Sequence, residues 1–279
     1  MPIDRRRAVA VTLAALAAPG RAARADTPRR TRSAVTTAQF DRWLALRGGL
    51  GEPAYWYSEG LVRPMSESGR AVARMLGVET WVTPAALRTP TRAVSLSRKI
   101  FFLLEPERDE LARDAAGGPA RPSVFVFQLR TFTLEGGAIR YEVESHDLAG
   151  VRLGGRNSIY TITEIGDQLH VNYGTYPLRR QPDGTERTTS GEIYDYFDAG
   201  PRERSTPARF QMNWVGANLE GRIANMHGWR FDSFDEIPNA WLRATVRGRA
   251  SEWTAPPRSL AEIEALRRQV PYRVAGLGL

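Results

Sequence analysis

The strand rhythm of this chain is strongest in its middle third. Ile139-Arg140-Tyr141-Glu142-Val143-Glu144-Ser145-His146 alternates apolar and polar residues along its length, the period of a β-strand whose side chains point to opposite faces in turn. Ile139, Tyr141 and Val143 fall on one face, and Arg140, Glu142, Glu144 and His146 on the other. Gln168, His170 and Asn172 share a face in the same way, and Gln211 and Asn213 alternate with Phe210, Met212 and Trp214. Ser123–Leu134 is a longer strand that Glu135-Gly136-Gly137 turns into Ala138–Leu148. Asn157–Ile165 and Gln168–Leu178 form a second hairpin around Gly166-Asp167, and the turn Gln181–Gly184 leads toward Gly191–Phe197 and Ala208–Val215. Upstream, Ala54–Val62 reads as an aromatic strand, Pro64–Gly69 as a turn, Ala71–Thr83 as a strand or short helix, and Ala93–Leu104 as extended.

Helical spacing is confined to short stretches. Phe40, Trp43 and Leu44 share a face within Thr37–Leu46, behind a Thr cap and before Gly48-Gly49. Glu107–Ala116 reads as a short charged helix or a loop, and Asn239–Val246 as a helix after a turn. In Ser259–Gln269, Ser259 caps, Glu262 sits at the third helical position, and Leu260, Ile263 and Leu266 share a face. Many strands joined by tight turns, with few helices, predict a mainly β (α+β) fold. It is an antiparallel sheet curled into a barrel or half-barrel with a few peripheral helices.

Composition alters this picture mainly at the N-terminus. The 279 residues are 42% hydrophobic and 25% charged, ordinary for a globular protein able to bury a large core. The formal charge is +8, and about half of the surplus lies in the first 25 residues. Arg5-Arg6-Arg7, the apolar run Ala8–Ala18 and Ala23-Arg24-Ala25 have the order of an export signal with a small-residue cleavage site, and the consecutive arginines resemble a twin-arginine signal. The run is too short to span a bilayer, which takes about 20 residues. We therefore expect a signal over residues 1–25, a flexible linker over 26–37 and one β-rich domain over 38–279, periplasmic or secreted and without stable membrane insertion. Every basic residue but Lys99 is an arginine, and no basic stripe with interleaved aromatics marks a nucleic-acid surface. With no cysteine, disulfides, thiol nucleophiles and thiolate metal sites are excluded.

Candidate chemistry sits on the polar strand faces. Glu144, His146 and His170, joined by His227, bring carboxylate and imidazole groups suited to general acid–base work if those faces line a cavity. A sheet with one wet face shows the same alternation with no site at all. The same histidines with Glu144 have the composition of a two-His, one-carboxylate metal site, but no local ligand spacing supports one, so neither metal nor cofactor is expected. Gly191–Phe197 adds Asp195 and Tyr196 among aromatic residues. A phosphate loop and a G-x-S-x-G elbow are both missing.

Several short segments then line up with a known pattern. They are Trp56-Tyr57-Ser58-Glu59-Gly60, Tyr194-Asp195-Tyr196-Phe197, Trp214-Val215-Gly216, His227-Gly228 before Phe234-Asp235-Glu236-Ile237-Pro238, and Thr254-Ala255-Pro256-Pro257. In these the chain resembles the bacterial family named domain of unknown function 1838, in order from about Phe40 to Pro257, with a departure over Ala71–Leu104. The resemblance implies a bacterial protein, often exported, and supplies no activity. It draws attention to Trp56, Glu59, Asp195 and His227 as site residues.

The reading that follows is an extracytoplasmic protein that holds a small apolar or aromatic molecule in its sheet cavity. Trp56, Tyr57, Glu59, Asp195, Tyr196, Asn213 and Trp214 would contact the ligand. His146, Glu144, His170 and His227 would supply acid–base chemistry of an isomerase, lyase or hydrolase kind. A carrier with the same cavity, or an interaction module with an exposed aromatic surface, are the other classes the sequence allows. N-terminal sequencing of the exported protein is expected to begin at Asp26; a product still starting at Met1 would sink the export reading.

Overall fold

In the computed structural model, Thr36 opens the first helix, α1 (Thr37–Gly48), with a capping box: its hydroxyl accepts from the Gln39 N–H, and the Gln39 side chain accepts from the Thr36 N–H at 3.0 Å. The structure describes residues 34–64, 70–114, 116–147, 152–156, 161–165, 168–175, 178–180, 186–188, 190–198, 210–218, 222–249 and 251–276, all within one compact unit, Ser33–Leu279. The expected export signal, most of the expected linker and the turns expected at Pro64–Gly69, Gly166-Asp167 and Gln181–Gly184 lie wholly or largely outside the described residues.

Among the described residues, fourteen strands form one sheet. They are β1 (Ala54–Pro64), β2 (Ala73–Val82), β3 (Arg88–Thr89), β4 (Arg92–Leu104), β5 (Ser123–Glu135), β6 (Ala138–Asp147) and β7 (Arg152–Arg156), followed by β8 (Thr161–Ile165), β9 (Gln168–Thr175), β10 (Leu178–Arg180), β11 (Glu186–Thr188), β12 (Ser190–Asp198), β13 (Phe210–Asn218) and β14 (Arg222–Phe231). Their order is β11-β10-β7-β6-β5-β4-β2-β1-β14-β13-β12-β9-β8, with β3 paired to β4. Most neighbours are hairpins, as the turn signals require. The pairing of β1 with β14 instead joins the two ends of the strand sequence, from Tyr55↔Phe231 to Pro64↔Arg222. The β5–β6 hairpin turns on Gly136 and Gly137, both at positive φ (58° and 72°), which a two-residue turn of this twist demands.

The sheet is antiparallel, curled and not closed: among the described residues no pairing joins β8 to β11. Its curvature is read from what α1 touches. Phe40, Trp43 and Leu44 share one core cluster with Trp56, Trp81, Phe132 and Tyr141, and also with Ile162 of β8 and Val171 of β9. Strands far apart in the sheet order thus reach the same helix, and Arg42 of α1 bonds Glu164 of β8 at 3.4 Å. The other face carries a second core, where Val78, Leu96, Ile100 and Phe102 meet α2 (Ala240–Arg249), α3 (Leu260–Gly276) and the 3-10 turns at Phe234–Glu236 and Ser251–Thr254. No helix among the described residues is long and apolar enough to cross a membrane.

Two open alternatives are decided, and two expectations need adjusting. The stretch Ala71–Thr83 is strand, and Glu107–Ala116 forms turns in which Asp114 accepts from the Ala116 and Gly118 N–H groups. Order begins before Thr37: Val35 is buried, and its N–H donates to Gly137 O at 2.8 Å. Most important, the polar strand faces do not line the inside of the curl along β6. Ile139 and Tyr141 pack with α1 on the concave side, because the helix makes that interior dry and apolar side chains gain most by filling it.

Trp43 is fully buried and meets Phe132 edge-on, with ring centroids 4.7 Å apart. Trp43→Ala is expected to cost about 3–5 kcal/mol in urea denaturation. A loss below about 1 kcal/mol would mean that α1 is not part of the core.

Candidate functional site

Alternation along β1 decides which residues can meet. Trp56 faces the concave side, where its Nε1–H donates to the Arg47 carbonyl at 2.9 Å. Tyr57 and Glu59 belong to the other face and lie beside β14. Register then extends that face across four strands. Tyr57 is opposite Trp229, which is opposite Gln211, which is opposite Phe197. In the next row Glu59 is opposite His227, His227 opposite Asn213, and Asn213 opposite Asp195; Asn172 of β9 continues it. Directly opposed residues of an antiparallel pair share a face. Four of the segments that carry the resemblance, Trp56–Gly60, Tyr194–Phe197, Trp214–Gly216 and His227-Gly228, therefore lie on adjacent strands of the sheet.

The β1–β14 corner of this face is set in place by hydrogen bonds. The Tyr57 hydroxyl donates to the Glu59 carboxylate, and the Asn239 side chain bonds the same hydroxyl. Asn239 also caps α2, its Oδ1 accepting the Leu242 N–H at 2.8 Å. Burial pushes the Tyr57 hydroxyl well above its ordinary range, and the hydrogen bond and charge of Glu59 push it further, so Tyr57 remains a donor across physiological pH. Its ring stacks on Trp229 at 5.6 Å between centroids. His227 is exposed, with its ring 6.3 Å from that of Trp229. Glu59 and Trp229 are half-buried. A carboxylate, an imidazole and an aromatic wall are thus open to solvent at the margin of the helical cover, an arrangement able to hold a flat ligand beside an acid–base pair.

The other sequence candidates fall elsewhere. Glu144 lies on the helix-covered side, where Arg267 of α3 grips it with Nε at 2.8 Å and Nη2 at 2.5 Å; it is a strut between sheet and helix. His146 occupies β6 opposite Phe127 and Arg152. His170 occupies β9 opposite Thr163, and the sheet order sets seven strands between β6 and β9. The register puts Tyr196 opposite Met212, and Trp214 opposite Met226; these rows continue to Ser58 and Gly60, on the face that Trp56 shares. The side chains of His146, His170, Asp195, Tyr196, Asn213 and Trp214 lie outside the described part of the structure. Among the described residues, no group of three His, Asp or Glu side chains is placed to hold a metal ion.

A second polar cluster, on the concave side, was not anticipated. Glu79 is buried and accepts from Arg47 Nη2 at 2.9 Å and Arg130 Nη2 at 3.1 Å. Arg130 Nη2 also donates to Gln128 Oε1 at 2.7 Å, and Gln128 Nε2 donates to Ser145 Oγ at 2.7 Å. Both guanidinium carbons lie over the Trp81 ring, 4.0 and 4.1 Å from its centroid. The sequence signal was a lone carboxylate in the largely apolar run Leu76–Val82, where Thr80 is the other polar residue, which asks for a buried partner.

Burial alone would raise the Glu79 pKa, but Arg47, Arg130 and Lys99 outweigh it and hold the carboxyl down to about 2, against an ordinary 4.5. The stability this group contributes is therefore complete above about pH 4.5 and is lost as pH falls toward 2, where the folded chain takes up the proton. Glu79→Gln is expected to cost about 3–5 kcal/mol at neutral pH by leaving buried guanidinium charge uncompensated, and to flatten the acid limb of stability against pH. An unchanged acid limb in urea titrations from pH 6 to 2 would show that Glu79 is not the linked group.

Compared with known proteins, the chain matches no family model and no curated sequence.

Proposed function

We propose that this is an extracytoplasmic bacterial protein, of the kind its short segments resemble, that binds a small apolar or aromatic molecule on the β1–β14–β13–β12 face. Glu59 and His227 serve there as the acid–base pair, and Trp229 as the wall against which the ligand lies. The observation that carries this reading is the Tyr57–Glu59 hydrogen bond, locked by Asn239, beside an exposed His227 and a half-buried Trp229. Pre-oriented polar groups beside an accessible aromatic surface are what a binding site needs. The concave face is less suited to the role along β1 and β2, because Trp56 and Trp81 are fully buried beneath α1. If the pair turns a substrate over, the chemistry is proton transfer, as in an isomerase, lyase or hydrolase; without turnover the same face makes the protein a carrier.

The test is an NMR screen of small aromatic molecules against the mature protein. Binders are expected to move the ring signals of His227 and Trp229 and leave the indole signal of Trp56 in place, and Trp229→Ala is expected to weaken them about tenfold or more. Shifts confined to Trp56 and Trp81 would move the site to the concave side and overturn this assignment. Loss of turnover in His227→Gln with binding retained would identify an enzyme.

A further inference from the structure

We infer that the molecule bound at this face is a cation: a protonated amine carried on an aromatic or apolar group. The inference rests on the reading of the Tyr57–Glu59–His227–Trp229 face as the binding site, and concerns the charge of its ligand.

Three successive rows cross β1, β14, β13 and β12, from Tyr57–Trp229–Gln211–Phe197 to Leu61–Asn225–Val215–Ile193. On β1 and β14, whose side chains are described, they hold one carboxylate residue, Glu59, and neither lysine nor arginine, while Arg74 stands opposite Leu61 on β2 and Arg63 follows in the next row. Arg74, whose charge reaches Tyr57, is already engaged by Asp109. The N-terminus of α2 would favour an anion, but its Leu242 N–H is taken by Asn239.

Chemistry favours the same sign. A carboxylate offers about four acceptor positions, and the Tyr57 hydroxyl takes one of those on Glu59, leaving room for an ammonium. The half-buried Trp229 ring, stacked on Tyr57, carries a face of negative potential, which attracts a cation within about 6 Å. An anionic ligand would meet Glu59 unpaired, and a neutral one would use the aromatic wall but not the carboxylate.

Three probes of matched size separate these cases in titrations with the mature protein near neutral pH: 2-phenylethylammonium, 2-phenylethanol and 3-phenylpropionate. The ammonium is expected to bind at least about tenfold tighter than the alcohol, an advantage worth about 1.4 kcal/mol, with the carboxylate weakest. Added salt should weaken the ammonium alone. Glu59→Gln should erase its advantage while leaving the alcohol unchanged, and Glu142→Gln, an exposed change on β6, should do neither. Equal binding of ammonium and alcohol, or tightest binding of the carboxylate, overturns the inference and leaves the site standing. If none of the three moves the His227 and Trp229 signals, the site assignment fails and the inference with it.

Discussion

One carboxylate between two guanidinium groups holds the interior of this protein in register. Glu79 on β2 is gripped by Arg47 from α1 and Arg130 from β5, so a single side chain ties the helix to strands on its own side of the curl. Such a cluster need not add much net stability, since burying three charges costs several kcal/mol each before their attraction repays it. Its consequence is positional. A helix resting on an all-apolar concave surface could rotate or slide with little penalty, whereas a displaced α1 here would strand buried charge. The helix must therefore sit where Arg47 reaches Glu79, which also fixes where Phe40 and Trp43 enter the core.

The end of α1 follows from the same constraint. An α-helix leaves its last carbonyls without intrahelical partners. Arg230 of β14 donates to the Ala45 and Leu46 carbonyls, and the Trp56 indole donates to that of Arg47. Gly49 then turns the chain at φ 62°, where an added Cβ would lie 2.1 Å from Glu52 O. The carbonyl end of α1 is thus held by β1 and β14, the two strands whose opposite faces carry Glu59 and His227. Buried order on one face supports an exposed constellation on the other.

Most of the strands were legible because period-two alternation and Gly-containing turns report local geometry directly. The β5–β6 hairpin at Gly136-Gly137 and the pairing of β8 with β9 needed nothing beyond their neighbours in sequence, and neither did the capped helix at Ser259. Two things were not legible. The pairing of β1 with β14 spans most of the chain, and no local pattern encodes it, yet it brings Glu59 to His227. Nor does alternation reveal which face is wet. The polar face of Ile139–His146 was expected to be the interior, but α1 fills the concave side and the polar face turns outward, where Arg140 and Glu142 are exposed. Glu144 consequently meets an arginine of α3 in place of a ligand. The isolated Glu79 held real information, since a carboxylate amid Leu76-Gly77-Val78 and Trp81-Val82 has to find cations or lie outside the core.

The strand β1 shows why the site residues could be named singly but not assembled. Its run Trp56-Tyr57-Ser58-Glu59 reads as one aromatic, polar segment, and proximity in sequence suggests one site. The pleat divides it. Trp56 and Ser58 go to the helix side, and Tyr57 and Glu59 to the side of β14's His227 and Trp229. Tyr57 is nearly buried although its neighbour Glu59 is half open, and this gradient follows the edge of α2, whose cap residue Asn239 anchors the Tyr57 hydroxyl. A carboxylate held by a buried donor loses little further freedom when a ligand arrives, so less of the binding energy is spent on ordering it. The Glu59–His227 corner is therefore held in one arrangement by the cores on either side of the sheet.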